Sequence, residues 1–418
     1  MALNVGLVGF GTVGKSVARL ITERHDGLLH LTHVCSRDVA RRRVDWLPSE
    51  VCWTDRFEDL LTAPIDAVVE LIGGLEPAAD WVSRALEAGK AVVTANKQLV
   101  ATRGGALLAL ACQHRTELAF EAAVGGGIPI IRGLRDGIAG DRIRSIVGIL
   151  NGTCNFILTR MEHGGVSYAA ALREAQERGY AEADPSEDVD GDDARAKLSI
   201  LARVGLGLEL EPSQLRAQSI RPLDHVDFTY ARRLESTIRQ VSRVALRDNA
   251  GEQIEARVGP ALVPLSSPLA AIVGSRNIVV TTGDYGSETL FAGHGAGGNP
   301  TAVAVVSDLV ALARHGARWV DVCPHGAKRT SIVSDAPSPH YLRLVVNDRP
   351  GIIAGLAGVL SAHDINIDAV LQEPGNPKSA LPFVVTLESC PESTMRRAVE
   401  EIAALDFNVQ PPLCLPML

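Results

Sequence analysis

The chain lacks an excess of positive charge. Its formal net charge is −8 and its pI is near 5.8, which argues against nucleic acid as the main partner. It also lacks any apolar run long enough to span a bilayer. The first residues enter a strand pattern at once (Leu3, Val5, Leu7, Val8) without the basic head and small-residue cleavage site of a signal peptide. Cysteine is sparse and scattered, at positions 35, 52, 112, 154, 323, 390 and 414, with no Cys-x-x-Cys pair. That spacing offers no zinc site and reads as free thiols in a reducing compartment, so a cytoplasmic location is expected.

What is present is ample for folding. Hydrophobic residues make up 46% and charged residues 22% of 418 positions, a composition suited to two or three soluble domains. The strand pattern Asn4 to Val8 runs into Gly9-Phe10-Gly11-Thr12-Val13-Gly14, and an apolar-periodic helix follows through Val17, Ala18, Leu20 and Ile21. This is G-x-G-x-x-G in the context that dinucleotide binding requires. Gly9 allows the tight turn, Gly11 the approach of a pyrophosphate, and Gly14 close packing of helix on strand. The helix N-terminus supplies N–H groups to the phosphates.

The second strand pattern, His30 to Val34, ends in Cys35-Ser36-Arg37. An NAD enzyme usually carries an acidic residue there; Arg37 with Arg41, Arg42 and Arg43 would instead face a 2′-phosphate, so NADP is favoured over NAD. These arginines read equally well as a solvated helix face. Further strand patterns at Ala67 to Ile72 and Ala91 to Thr94 lead into Gly73-Gly74 and Ala95-Asn96-Lys97. Ligands bind beyond such carboxyl ends, which gives Lys97 a functional reading. Glu121 lies in an apolar stretch read as a strand, ahead of three successive glycines, and needs a partner if buried.

The segment Gly179 to Leu198 crowds Glu182, Asp184, Glu187, Asp188, Asp190, Asp192 and Asp193 ahead of Lys197. Asp193 and Lys197 are i and i+4 on one helical face. Taken alone, this is an acidic loop capping a helix. The sharper reading is an amino-acid site, in which Glu182 and Asp188 face an ammonium, Asp193 holds the reacting end and Lys197 supplies a proton. Cys154, in Asn151-Gly152-Thr153-Cys154-Asn155, offers a thioester nucleophile as a competing reading, although no activating base is visible nearby. Short β-prone runs are expected at Ile254–Val258, Leu269–Val273, Asn277–Thr282 and Thr289–Ala292. Thr301 is expected to cap a helix over 302–313 after the glycine-rich loop Gly293 to Pro300.

These motifs together resemble homoserine dehydrogenase. The likeness rests on Gly9-Phe-Gly-Thr-Val-Gly, Val69-Glu-Leu-Ile-Gly-Gly, Thr94-Ala-Asn-Lys, Glu121-Ala-Ala-Val-Gly-Gly-Gly-Ile-Pro, Asn151-Gly-Thr-Cys-Asn-Phe-Ile-Leu and Gly179 to Leu198, in order over residues 1–316. The resemblance implies reduction of aspartate 4-semialdehyde to L-homoserine with NADPH or NADH. It implies Lys197 as general acid/base, Lys97 beside nicotinamide and substrate, and Glu182, Asp193 and Asp188 around the substrate. Gly9, Phe10, Gly11, Thr12, Val13, Gly14, Arg37, Thr94, Lys97, Gly179 and Gly298 would hold the cofactor. Glu121 with the carbonyls of Val124, Gly126 and Ile128 resembles the family's sodium site, and these are hard oxygen donors. Two departures stand out: His294 and Ser267, where the family usually has proline and histidine.

Residues 341–418 read as β-α-β-β-α-β, a ferredoxin-like order. The predicted elements are a strand over 341–346, a helix carrying Ile352 to Leu360, strands from Ile365 and over 382–387, a helix from Ser393 to Ala404, and a last strand near Phe407. Asp348-Arg-Pro-Gly and Ile365-Asn-Ile resemble an ACT domain, which implies pairing of copies and an amino-acid effector, threonine being the one expected. The expected organisation is therefore α/β: a Rossmann dinucleotide-binding domain (1–130), an α+β catalytic and dimerisation domain (131–316) whose last helix returns toward the first, a linker (317–340) and a ferredoxin-like ACT domain (341–418). A dimer or tetramer is expected. The rival readings are an aspartate-semialdehyde dehydrogenase using Cys154, and an amino-acid sensor on a retired dehydrogenase scaffold. Joint retention of Lys97, Glu182, Asp193 and Lys197 speaks against the second.

Overall fold

The computed structural model describes residues 2–24, 26–248, 253–316, 331–333 and 335–418. They form two compact units, Met1–Ile146 with Asp193–Leu215 and Asn277–Thr330, and Val147–Asp192 with Arg216–Arg276 and Ser331–Leu418.

The first unit is built on six parallel strands: β1 (Leu3–Val8), β2 (Leu29–Cys35), β3 (Cys52–Thr54), β4 (Ala67–Glu70), β5 (Ala91–Thr94) and β6 (Leu118–Ala119). Their order is β3-β2-β1-β4-β5-β6. That is the doubly wound dinucleotide-binding order, with its switch point between β1 and β4. β4 and β5 are buried at every position. Their Ala-Val-Val runs fit strands covered on both faces. One of those faces is covered by the helices Thr12–Thr22 and Gly298–His315, which share a core with Val5, Leu7, Val69 and Val93. The strands Ile143–Ile149, Arg276–Gly283 and Glu288–His294 lie together, with Arg276–Gly283 in the middle.

Several local expectations shift. Glu121 does not continue a strand; it opens a 3₁₀ turn, Glu121–Ala123. The Gly298–His315 helix starts before Thr301 and is entered from Gly297, whose φ of 122° suits only glycine. The β-prone run at Leu269–Val273 is a turn region, whereas Gln253–Pro264 is one long strand.

In the second unit, Ser236–Leu246 and Gln253–Pro264 form a long antiparallel pair, while Arg216–Ala217 and Ser331–Ile332 join Gln253–Pro264 in parallel. The sheet is therefore mixed. The C-terminal part holds four antiparallel strands in the order Ile367–Leu371, Leu381–Cys390, Ser338–Val346, Leu413–Pro416. The helices Ile352–Ala362 and Glu392–Ala403 share its core. The expected linker falls partly outside the described residues, at 317–330 and 334. The first strand begins at Ser338 rather than 341, with a bulge around Pro339, where the missing N–H is tolerated. The last strand comes later than Phe407. Phe407 is instead buried in the core, and the Asn408 amide donates to the carbonyls of Ile402 and Leu405. The chain is thus spent capping the Glu392–Ala403 helix before it pairs at Leu413.

Candidate active site

In the first unit, β1 is followed by Gly9, whose φ is 99° and whose added Cβ would stand 2.8 Å from the Leu71 carbonyl oxygen. A Cβ on Gly14 would stand 2.2 Å from the Gly9 carbonyl oxygen, so only glycine lets this helix meet the turn. Gly11 has nothing within 4 Å of that position. A cleft of about 550 Å³ opens there, lined by Gly9, Phe10, Gly11, Arg37, Arg41 and Arg42 among others. Arg42 donates to the Phe10 carbonyl at 3.4 Å. Gly298 lies against Thr12, and the Ser16 hydroxyl donates to the Asn299 side chain at 2.9 Å. Two helix N-termini therefore meet beside the glycine turn, and both carry the partial positive charge that phosphates seek.

The carboxyl ends of β4 and β5 are tied by their last residues, which pair in register. The Thr94 hydroxyl donates to Glu70 at 2.6 Å, and Glu70 also accepts the N–H groups of Ile72 and Gly73 at 2.8 and 3.1 Å. Thr94 is fully buried. Its side chain therefore shapes the strand ends rather than reaching into the cleft. Asn96 caps the next helix, accepting from Leu99 N–H at 3.1 Å.

That helix, Lys97–Gln113, places Lys97 at its first position. Its partner is the helix Asp192–Leu206. Arg203 clamps the two, donating to the carbonyls of Val100 and Ala101 at 2.6 and 3.2 Å and pairing with Glu209 at 2.6 Å. Gly104 leaves room for that guanidinium, since a Cβ there would come within 2.5 Å of it. The clamp brings Lys97 to Asp193 at 2.5 Å, while Lys197 meets the other oxygen of Asp193 at 2.7 Å. The Asp193 side chain is 3% exposed, against 12% for Lys197 and 33% for Lys97. Burial opposes charge on Asp193, but Lys197 and Lys97 outweigh it and hold the carboxyl far below the usual carboxylate range. The result is an ionised carboxylate bridging two ammonium groups that both reach solvent.

In the second unit, Asn151 caps the helix Gly152–Gly164 through the Cys154 N–H at 2.8 Å and donates to Asp188 at 2.7 Å. Gln240 and the Cys154 thiol both donate to the Asp188 carbonyl, at 3.3 and 3.2 Å. Cys154 is fully buried. A thiol so placed braces the Asp188 turn and offers no nucleophile, which removes the basis for the thioester reading. Asp190 is held by Arg221 at 2.9 Å and Ser219 at 2.7 Å, a purely bracing role. Glu182 is exposed, with its carbonyl held by Gln176 at 3.0 Å. Gly179 is exposed at a φ of 72°, where the Tyr168–Glu177 helix ends.

The comparisons with known proteins agree over the whole chain. Models described as homoserine dehydrogenase, NAD binding domain and as homoserine dehydrogenase match residues 9–121 and 129–310, and an ACT domain model matches 340–407. A homoserine dehydrogenase of Bacillus subtilis is 38% identical over 92% of this chain and 91% of its own. One from Synechocystis is 38% identical over the full length of both. The chain belongs to the homoserine dehydrogenase family. Among solved structures, a homoserine dehydrogenase from Thiobacillus denitrificans is 34% identical with a TM-score of 0.89, covering 100% of this chain and 98% of that one. The family is one of oxidoreductases with a nicotinamide-dinucleotide-binding domain, and this member carries an ACT domain as well.

The two departures from the usual homoserine dehydrogenase pattern each have a local place in the structure. His294 is exposed, and its carbonyl accepts from Gly127 N–H at 3.3 Å, a task independent of the side chain. The Ser267 hydroxyl accepts from Leu269 N–H at 3.3 Å and so still caps its turn. At the segment resembling the sodium site, Glu121 is buried and accepts from the N–H groups of Ile131 and Arg132 at 2.8 and 2.9 Å. Burial, then Asp308 beside it, pushes its carboxyl up to about 7. Gly125 and Gly126 have φ of 75° and 57°, turning the intervening carbonyls. Arg132 stands 3.9 Å from Glu121 but 2.7 Å from Asp308, so two buried carboxylates share that guanidinium, and with the turned carbonyls this set fits a small hard cation. Among the described residues no cluster of three or more His, Cys, Asp or Glu could hold a metal ion. No helix of these residues is long and apolar enough to cross a membrane.

The free-thiol expectation holds at Cys35, Cys52, Cys154, Cys390 and Cys414. Cys112 departs from it, being disulfide-bonded. Cys323 lies outside the described residues. Sequence reasoning missed Glu70, Arg203 and Asp308. Glu70 stood inside a recognised motif, and its place at the end of an apolar strand was the available signal. Arg203 and Asp308 had none, because the partners that matter, Val100 and Ala101 for the one and Glu121 and Arg132 for the other, are distant in sequence.

Proposed function

We propose that this chain reversibly reduces L-aspartate 4-semialdehyde to L-homoserine with a nicotinamide cofactor, serving threonine, methionine and isoleucine biosynthesis in the cytoplasm. The observation that carries the reading is the Lys97–Asp193–Lys197 constellation, in the same unit as the dinucleotide cleft. The bound cofactor supplies hydride to the aldehyde carbon. Lys197 delivers the proton to the aldehyde oxygen and takes it back in the reverse direction. Asp193 orients Lys197 and keeps it within reach, and Lys97 shares the carboxylate beside the nicotinamide. Glu182 and Asp188 face the substrate ammonium. Gly9, Phe10, Gly11, Thr12, Val13, Gly14, Gly179 and Gly298 hold the cofactor, with Thr94 shaping the strand ends.

NADP is the preferred form, because Arg37, Arg41 and Arg42 line the cleft where the ribose 2′-phosphate would lie. Sodium at Glu121 and the carbonyls of Val124, Gly126 and Ile128 braces the segment leading to the Ile130–Arg132 turn. The ACT domain pairs copies into a dimer or tetramer and takes threonine as effector. Initial rates with L-homoserine and NADP or NAD, with and without threonine, test these readings together. The expected outcome is activity with a kcat/KM advantage for NADP and loss of rate with threonine. No turnover with either cofactor would overturn the assignment, and equal efficiencies would remove the role of the arginines.

A further inference from the structure

The second unit holds a cavity of about 560 Å³ apart from the residues discussed so far. Its walls come from the strand Gln253–Pro264, the strand Ser338–Val346, the helix Glu392–Ala403 and the segment 410–414. Four guanidinium groups line it, those of Arg216, Arg257, Arg343 and Arg396, against only two carboxylates, Glu392 and Glu400. Glu392 is engaged by Arg216. The carboxylate behind Arg257 is Glu255, which is shared with Arg243 at 3.5 Å and with Arg247, leaving Arg257 at 3.8 Å. Arg343 is 4% exposed; Asp227 pairs with one of its terminal nitrogens at 2.5 Å, the Pro222 carbonyl accepts from the other at 3.1 Å, and its Nε is buried without a hydrogen-bond partner among the described residues.

The cations in the cavity are under strain from one another. Arg257 is lowered first by burial and then, past the opposing pull of Glu255, by Arg243, Arg247 and Arg216. Arg216 is lowered by burial and by Arg396. His340, also in the wall, is pushed down to about 4 by burial and by Arg257, and so is neutral. A cavity where cations crowd one another, with Arg216 and Arg343 each meeting a carboxylate and Arg257 only loosely, gains from an anion. Gln218 and Gln410 also line it, and an apolar stretch is formed by Val241, Val258, Met395 and Val399.

We infer that this cavity is a binding site for a small organic carboxylate with an apolar body. The carboxylate takes the arginine end, where a planar bidentate group matches guanidinium geometry. The apolar body lies on Val241, Val258, Met395 and Val399. The site lies within a single chain, and it is separate from the shallow depression at Ser361 to Ile367 on the other side of the C-terminal sheet order. It makes no use of the dehydrogenase chemistry, so its test is independent of activity.

The test is titration calorimetry on the full chain with 4-methylpentanoate, and with 4-methylpentan-1-ol as its uncharged counterpart. The expected result is saturable binding of the acid, with the alcohol at least about tenfold weaker. Arg396→Glu, an exposed position, should weaken the acid by a similar factor. Val399→Trp should abolish binding by filling the cavity, and Asn366→Ala should leave it unchanged. Absence of saturable binding into the low-millimolar range would overturn the inference. So would equal binding of acid and alcohol, or loss with Asn366→Ala but not with Arg396→Glu. Circular dichroism on each variant separates loss of the site from loss of the fold.

Discussion

Two buried aspartates, one in each unit, invite comparison. Asp193 and Asp227 both lie in the first turn of a helix, both are nearly inaccessible, and both are paired with basic side chains. Asp193 is shared by two lysines whose charge overcomes burial, so its carboxyl is held low. Asp227 has one arginine, Arg343 at 2.5 Å, the Tyr341 hydroxyl at 2.7 Å and a capping box, and burial still wins, raising its carboxyl. The partners differ as well. Lys97 and Lys197 reach solvent, whereas the Arg343 side chain is nearly inaccessible. A buried carboxylate whose cations face outward is suited to the proposed task of positioning a proton donor; one whose cation is sealed in joins two pieces of scaffold. Asp227 joins the helix His225–Arg233 to the first strand of the ACT domain.

The largest expected effect breaks the first of these. Lys197→Ala should lower kcat by roughly 10²- to 10⁴-fold at saturating substrate, as loss of a positioned acid/base does. Its stability should change far less, because Asp193 keeps Lys97. Steady-state kinetics beside urea unfolding reads both; a kcat near wild type would take Lys197 out of the chemistry. The second effect is the converse. Asp227→Ala strands Arg343 in the interior and should cost about 3–5 kcal/mol of stability. The folded fraction should keep its kcat, and a stability within 1 kcal/mol of wild type, roughly the worth of an exposed pair, would refute the distinction between the two aspartates.

The same contrast explains what could be read from the sequence. Local signals carried far: the glycine turn, the i and i+4 spacing of Asp193 and Lys197, and the apolar spacing of the helix carrying Ile352 to Leu360 each express a period of a single element. Lys97 was recognisable because β5 ends just before it. What stayed hidden depends on partners far along the chain. Arg203 reaches back to Val100 across about a hundred residues, and Asp227 meets Tyr341 and Arg343 more than a hundred residues on. What disposes of the rival Cys154 reading is likewise remote: its thiol is spent on the Asp188 carbonyl, a contact no spacing rule reveals. The late last strand was hidden because Phe407 and Asn408 serve the helix end first.

A third cluster of buried acids sharpens the rule by pH. Burial raises Glu117 to about 8 and, with Asp308, Glu121 to about 7, both from an ordinary value of 4.5. The folded state therefore holds these protons more tightly than the unfolded chain does. Their contribution to stability is full below about pH 4.5 and is lost as pH rises through 7 and 8, by roughly 3 kcal/mol for Glu121 at most. Glu121→Gln should flatten that slope. Sodium chloride, against choline chloride at equal ionic strength, should restore stability above pH 7 if the cation sits at Glu121. Identical unfolding curves in the two salts would count against that site.

The smallest expected effect lies at Glu182, which is exposed where Asp193 is buried. Among the described residues its carboxylate has no partner, and its carbonyl is held by Gln176. Glu182→Gln should leave stability within about 0.5 kcal/mol of wild type, as surface changes do. Losing one charge-assisted contact to an ammonium should raise KM for L-homoserine about tenfold while kcat stays nearly constant, the pattern of an interaction made equally in ground and transition states. An unchanged KM would mean that the substrate ammonium is met by Asp188 alone. A fall in kcat at constant KM would mean that Glu182 belongs with Lys197 and Asp193 in the proton transfer, and that exposure is a poor guide to which carboxylates here serve the chemistry.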